Sequence, residues 1–266
     1  VKPALRLIAV DLDGTLLTSA QQPAPGGMAA LRRAAQMGVQ VVIATTRNPS
    51  FVAPLYRQLD VTGPLICTNG AQVWASPAGP VWACHTIPLA AARRAAALAD
   101  ARGWELSITV GEITAQCRRS GEAPGPVSAH RRITRTNLEA VSGEPVRMLA
   151  VEPAARAELR AVCAAEFAGS VRVEGYTTPL GVEESIGIFA RQAEKGAALR
   201  LVLERLEIDP GAAAAVGDNF VDLAMFDCVG TRVAMGNAPD PVKARATHIA
   251  PSNDDEGVAW AVQTLL

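Results

Sequence analysis

Residues 7–16 read Leu-Ile-Ala-Val-Asp-Leu-Asp-Gly-Thr-Leu, and the fold turns on how this stretch is read. Leu7 to Val10 form a short apolar run bounded by turn chemistry, the pattern of a strand buried on both faces within a parallel sheet. Asp11 and Asp13 stand at its exit. In an open α/β sheet the carboxyl ends of the strands face the ligand crevice, so both acids are placed for chemistry. Two carboxylates this close can divide the labour, one attacking or binding a metal while the other moves a proton. Gly14 permits the sharp turn that follows. Taken alone, Asp-x-Asp-Gly-Thr fits a solvated turn equally well.

The design recurs along the chain. Residues 25–38 read as a helix with Met28, Leu31 and Ala35 on one face and Gly38 at its stop. A strand over Gln40–Ala44 ends in Thr45-Thr46-Arg47-Asn48, and the helix expected within Ser50–Leu59 should start near Pro54. Pro64–Cys67 makes a third strand, ending in Thr68-Asn69-Gly70-Ala71. From Val73 to Glu184 the texture changes to short strands, at 72–75, 81–84, 106–110, 146–151 and 171–174, with helices at Leu89–Arg102 and Pro153–Phe167. Residues 118–126 read as exposed loop. Alternation then returns: strand Ser185–Ala190, helix Lys195–Leu206, and strands Ala212–Val216 and Thr231–Met235, which end in Gly217-Asp218 and Gly236-Asn237. The pattern predicts an α/β fold, a doubly wound, mostly parallel, Rossmann-like core sheet over residues 1–78 and 185–266 with an α+β domain inserted at 79–184.

Composition narrows the partners. The 266 residues are 49% hydrophobic and 19% charged with a formal net charge of -1, so no nucleic acid and no anionic membrane is expected as a partner. No apolar run approaches a membrane span and the N-terminus shows no cleavable signal pattern, which makes a cytoplasmic location the expectation. Cys67, Cys84, Cys117, Cys163 and Cys228 are scattered and odd in number, as reduced thiols are, and His85, His130 and His248 suggest no zinc cluster.

The opening decamer resembles the first motif of the haloacid dehalogenase-like hydrolase superfamily, and later strand ends resemble its other motifs in order. Thr45-Thr46-Arg47 is similar to the second, usually Thr-Gly-Arg, with Thr46 in the glycine position. Lys195-Gly196 resembles the third by its place after the insertion; it opens a helix, whose N-terminus favours an anion, and it is no Walker loop because the glycine that pattern requires ahead of the lysine is absent. Gly217-Asp218-Asn219-Phe220-Val221-Asp222 resembles the fourth, usually Gly-Asp-x-x-Asn-Asp, with Val221 in place of asparagine. Thr68-Asn69-Gly70-Ala71, Met235-Gly236-Asn237-Ala238 and Asn253-Asp254-Asp255-Glu256-Gly257-Val258 look like signatures of the Cof-like branch with a type-two (C2B) cap.

The resemblance implies a magnesium-dependent phosphatase that hydrolyses small phosphomonoesters, sugar phosphates or phosphorylated cofactors, through an aspartyl-phosphate. Asp11 would attack phosphorus, Asp13 would protonate the leaving oxygen and then activate water, Thr45 would orient an equatorial oxygen, and Lys195 would neutralise charge. Asp11, the backbone carbonyl of Asp13 and Asp218 would hold Mg2+, while Asp222 orients Lys195 or a metal-bound water. Thr46, Arg47, Asn69, Gly70 and Asn237 are the expected substrate contacts. Each also has a plainer reading: Thr45 as a helix cap, Arg47 as cover for the sheet edge, and Asn69 and Asn237 as turn builders. Arg118, Arg119, Arg131, Arg132 and Arg135 are either solvated or available to an anionic substrate. The implied partner is a small phosphorylated metabolite, and the expected state is a monomer or small homo-oligomer. Two alternatives remain open: phosphohexomutase-like phosphoryl transfer, and a non-catalytic ligand-binding or regulatory protein on the same fold, which Thr46 and Val221 would admit.

Overall fold

The structure is a computed structural model that describes residues 4–177 and 182–266. The first half of the core comprises β1 (Leu7–Val10), α1 (Pro25–Gln36), β2 (Gln40–Ala44), α2 (Pro49–Leu59), β3 (Leu65–Cys67), β4 (Gln72–Trp74) and β5 (Val81–Cys84). The middle of the chain adds α3 (Leu89–Arg102), β6 (Ser107–Val110), β7 (Ile113–Cys117), β8 (Gly125–Ser128), β9 (Arg131–Thr134), α4 (Asn137–Ala140), β10 (Arg147–Ala150), α5 (Pro153–Glu166), β11 (Val171–Thr177) and β12 (Glu183–Ala190). The remainder is α6 (Lys195–Arg205), β13 (Ala213–Gly217), α7 (Leu223–Phe226), β14 (Thr231–Ala234), α8 (Asp240–Lys243), β15 (His248–Ile249) and α9 (Gly257–Leu265).

The core sheet runs β15-β14-β13-β1-β2-β3-β4-β5, and every pairing from β15 to β3 is parallel. As its sequence predicts, β1 is buried on both faces. Ile8 and Val10 pack into a cluster with residues of α1, α2 and α9, whereas Leu7 and Ala9 join residues of α6 and α7. This is the doubly wound arrangement, and it brings the carboxyl ends of the parallel strands to one edge.

The second sheet runs β11-β12-β10-β6-β7-β9-β8. Its Ile108, Met148, Ala150, Ile186 and Ile188 pack with Ala92, Ala96 and Ala99 of α3 and Leu159 of α5. Here the structure corrects the sequence reading. Residues 183–190 pair with β10 and β11 rather than joining the core sheet, and Val81–Cys84 closes the core sheet rather than opening the insertion. The chain divides after Ala83 and after Ala193. The Ser-Ile-Gly-Ile-Phe-Ala run has the apolar density of a buried parallel strand, and periodicity names a buried strand without naming its sheet.

Two smaller differences have local causes. Helix α2 begins at Pro49 and carries Pro54 inside it; Pro54 is exposed and forgoes only the bond to the Ser50 carbonyl, so the helix continues through it. The arginine cluster is largely neutralised where it stands: Arg118 pairs with Glu105 at 3.1 Å, Arg119 with Asp100 at 3.1 Å and Arg131 with Glu122 at 3.7 Å. None of the five cysteines is in a disulfide, and among the described residues no helix is long and apolar enough to cross a membrane.

Tyr56 of α2 fixes the end of β2 that leads to Thr45. Its buried hydroxyl accepts from the Ile43 N–H at 2.9 Å and donates to the Pro64 carbonyl at 2.5 Å. Tyr56→Phe strands both backbone groups, so urea unfolding should show a loss of about 1–3 kcal/mol.

Candidate active site

Asp11 follows β1 directly, its N–H donating to the Val216 carbonyl of β13 at 3.0 Å. Lys195 is the first residue of α6, and its side chain is wholly buried. Its Nζ donates to Asp11 Oδ1 at 2.6 Å and to Asp222 Oδ1 at 2.7 Å. The second oxygen of Asp222 accepts from the backbone N–H groups of Asp218 and Asn219, each at 3.0 Å. Asp218 in turn accepts from the Thr15 hydroxyl at 2.8 Å. Carboxylate oxygens of Asp11, Asp218 and Asp222 thus lie within 4.8 Å of one another, a group that could hold a metal ion.

Charge crowding shows in the protonation of these groups. Burial, reinforced by Asp222 and Asp218, pushes the Asp11 carboxyl well above the usual carboxylate range despite Lys195. Burial first, and then the Asp222 charge, raise Asp218 to about 7. Burial works against the charge of Lys195, but Asp11 and Asp222 outweigh it and hold the ammonium protonated. One cation therefore serves three clustered acids. A further cation would relieve the excess.

Close packing sets these groups in place. Gly14 has φ +77°, and a Cβ there would lie 2.4 Å from Asp218 Oδ2. Gly70 has φ +88°, and a Cβ there would lie 2.3 Å from the Glu194 carbonyl, the residue before Lys195. Gly70, expected as a substrate contact, also seats the Thr68–Gly70 turn against the start of α6. Thr68, Asn69 and Gly70 all have positive φ, a costly conformation for the first two that clusters at functional sites. Asn69 is buried. Thr45 is buried too, its carbonyl accepting from Asn69 N–H at 3.0 Å and its hydroxyl from Arg47 N–H at 3.1 Å. Thr46 has no positive φ, so a side chain fits where the family pattern has glycine. Val221 lies in the turn Phe220–Asp222, where Asn219 caps the turn through the Phe220 N–H at 2.7 Å.

Asn237 takes up the turn-building role weighed beside substrate contact, and Arg47 meets an acid of the opening motif. The Asn237 amide donates to the Gly14 carbonyl at 2.8 Å and accepts from Asn253 N–H at 3.0 Å, so it builds the loop after Asp13. Arg47 forks onto Asp13, Nε to Oδ2 at 2.9 Å and Nη2 to Oδ1 at 2.5 Å.

The sequence reading missed the fastening of residues 14–27 by the C-terminal segment. Asn253 donates to the Leu17 carbonyl at 2.9 Å, Asp254 accepts from Ser19 N–H at 2.8 Å, and Glu256 accepts from Gly26 and Gly27 N–H at 2.9 and 2.8 Å. The signal was present, because α1 opens with Ala24-Pro25-Gly26 and has no side-chain cap of its own.

This geometry meets an independent observation: a profile of haloacid dehalogenase-like hydrolases matches residues 8–262. The chain belongs to that family. This haloacid dehalogenase-like hydrolase is 28% identical over 268 residues to the pyridoxal phosphate phosphatase YbhA of Escherichia coli, covering 98% of each chain. It is 30% identical over 262 residues to the 5-amino-6-(5-phospho-D-ribitylamino)uracil phosphatase YcsE of Bacillus subtilis, covering 97% of this chain and 95% of that one. Among solved structures, a haloacid dehalogenase-like hydrolase from Bacteroides thetaiotaomicron superposes with a TM-score of 0.85 at 22% identity, over 98% of this chain and 100% of that one.

In the metal-free protein the raised Asp218 means that the native state holds a proton the unfolded chain has released. Stability from this group is therefore highest near pH 4 and is lost as pH rises toward about 7. Magnesium should raise the melting temperature more at pH 8 than at pH 5.5. Asp218→Asn should raise the metal-free melting temperature at pH 8 and abolish the magnesium response, both read by thermal unfolding.

Proposed function

We propose that the chain is a magnesium-dependent phosphatase that hydrolyses small phosphomonoesters through an aspartyl-phosphate. The observation that carries this reading is the Lys195 bridge between Asp11 and Asp222 with Asp218 alongside. The donors are hard oxygens, which suit Mg2+ held by Asp11, the Asp13 backbone carbonyl and Asp218. Once bound, the ion would neutralise charge on the phosphoryl oxygens.

An oxygen of Asp11 attacks phosphorus, and the bond to the ester oxygen breaks with its electron pair passing to that oxygen. Asp13 protonates it, and the alcohol leaves. Water then attacks the phosphorus as Asp13 takes its proton, and the Asp11 oxygen departs with its bonding pair, giving inorganic phosphate. Lys195 stays with Asp11 throughout, and the buried Thr45 orients an equatorial phosphoryl oxygen. Asp222 acts by holding Lys195. The relatives act on phosphorylated heterocyclic metabolites, and we assign the same broad class here, with substrate selection placed in the inserted unit and the site in the cytoplasm.

Phosphate release from an aryl phosphate and a panel of phosphorylated metabolites tests the reading. Release should require magnesium and fall to background in Asp11→Asn, and Asp13→Asn should lower kcat by about 10²–10⁴-fold. Free phosphate without a bisphosphate activator separates hydrolysis from mutase-type transfer. No release by the wild type from any ester in the presence of magnesium would sink the proposal.

A further inference from the structure

Arg47 is an expected substrate contact, yet one of the two fork-forming edges of its guanidinium is taken up by a carboxylate. Its Nε and Nη2 meet the two oxygens of Asp13 at 2.9 and 2.5 Å, the fork geometry in which an arginine fixes a carboxylate in one orientation. Arginine has only donors, so this fork fits the ionised acid.

The arginine is itself held on several sides. Its backbone N–H donates to Thr45 Oγ1 at 3.1 Å, and its carbonyl accepts from Thr68 N–H at 2.9 Å. The guanidinium lies 5.9 Å from the centroid of the Phe51 ring, and Nη2 also donates to the Gln21 side-chain oxygen. Gln21 sits at φ +58° in a tight turn where its N–H donates to the Thr18 carbonyl at 2.8 Å. Glycine would adopt that conformation freely, so a strained glutamine whose amide reaches Arg47 points to a use for the side chain.

We propose that Arg47, braced by Gln21 and Phe51, is a positioning residue that holds the Asp13 carboxylate ready to take a proton from the water that attacks the phosphoenzyme. This rests on the phosphatase reading above. The step assigned to the fork is the second half-reaction: the water proton passes to Asp13, the water oxygen bonds phosphorus, and the Asp11–phosphorus bond breaks toward Asp11. The first half-reaction with a good leaving group needs no proton and should tolerate loss of the fork.

The experiment is stopped-flow and steady-state turnover of p-nitrophenyl phosphate with magnesium by the wild type, Arg47→Ala, Arg47→Lys and Gln21→Gly. Arg47→Ala should lower kcat by about ten- to a hundredfold, part of the usual contribution of a general base. Because dephosphorylation alone slows, KM should fall with kcat and a burst of nitrophenol near one equivalent should appear. Arg47→Lys, with a point charge in place of a fork, should lie between, and Gln21→Gly should show the same pattern more weakly. Added to Asp13→Asn, Arg47→Ala should cost nothing further. A raised KM with a slowed burst would assign Arg47 to phosphate binding, and a full loss on the Asp13→Asn background would make its role independent of Asp13; either result overturns the proposal. Should Arg47→Ala fail to fold, the lysine and Gln21→Gly variants discriminate by the same burst and the same change in KM. An inactive wild type would instead defeat the phosphatase reading itself.

Discussion

A buried ammonium between two buried carboxylates is the constraint on which the core depends. Lys195, Asp11 and Asp222 are almost wholly removed from water, and each ion would cost several kcal/mol to bury alone. Contacts of 2.6 and 2.7 Å offset that cost only if β1, the turn after β13 and the start of α6 meet closely. Asp11 and Lys195 are 184 residues apart, and the whole inserted unit lies between them. The contact therefore joins the two chain segments of the core across the insertion. The same contact leaves Asp218 beside two acids that share one lysine, which is why the site favours a cation.

The core strands and the acids at their ends were legible because both are written locally. A buried strand followed by polar residues can be read from neighbours, and β1 to β3, β13 and β14 lie where those patterns place them. What failed depends on partners distant in sequence. The run Ser185–Ala190 carries no mark of which sheet it joins, and only its pairing with Met148 to Ala150 decides. Pro54 looked like a helix start because its neighbours do not reveal that Pro49 already supplies one. Arg47 is 34 residues from Asp13, and Asn237 is 223 from Gly14, so neither contact can be seen in a window of sequence. Thr15 was legible as part of the opening motif but not as the hydroxyl donor to Asp218.

The C-terminal segment illustrates how a signature without chemistry still serves the site. Helix α1 lacks a capping side chain, and its first N–H groups would be unpaired but for Glu256. A carboxylate at that end is also favoured by the helix dipole. With Asn253, Asp254 and Asn237, it fixes the course of residues 14–27, the segment that carries Thr15 to Asp218 and Gln21 to Arg47. Loop and acids are then one mechanical unit, because Gly14 approaches Asp218 too closely for any side chain.

Under the proposed mechanism, the choice of cation for each acid follows from the role assigned to it. A nucleophilic carboxylate needs an oxygen left open to attack, and the point charge of Lys195 engages only Oδ1 of Asp11 while its other bond goes to Asp222. A carboxylate that must be aimed rather than attack can have both oxygens gripped, as the fork of Arg47 grips Asp13. Exposure separates them further. Lys195 is sealed from water, where a compact ammonium between two anions is sustained, whereas the Arg47 side chain is 29% exposed and the Asp13 side chain 38%. Water reaches that pair, so its attraction is screened and adds little to stability. Its geometric restraint survives screening, because a fork fixes direction as well as distance.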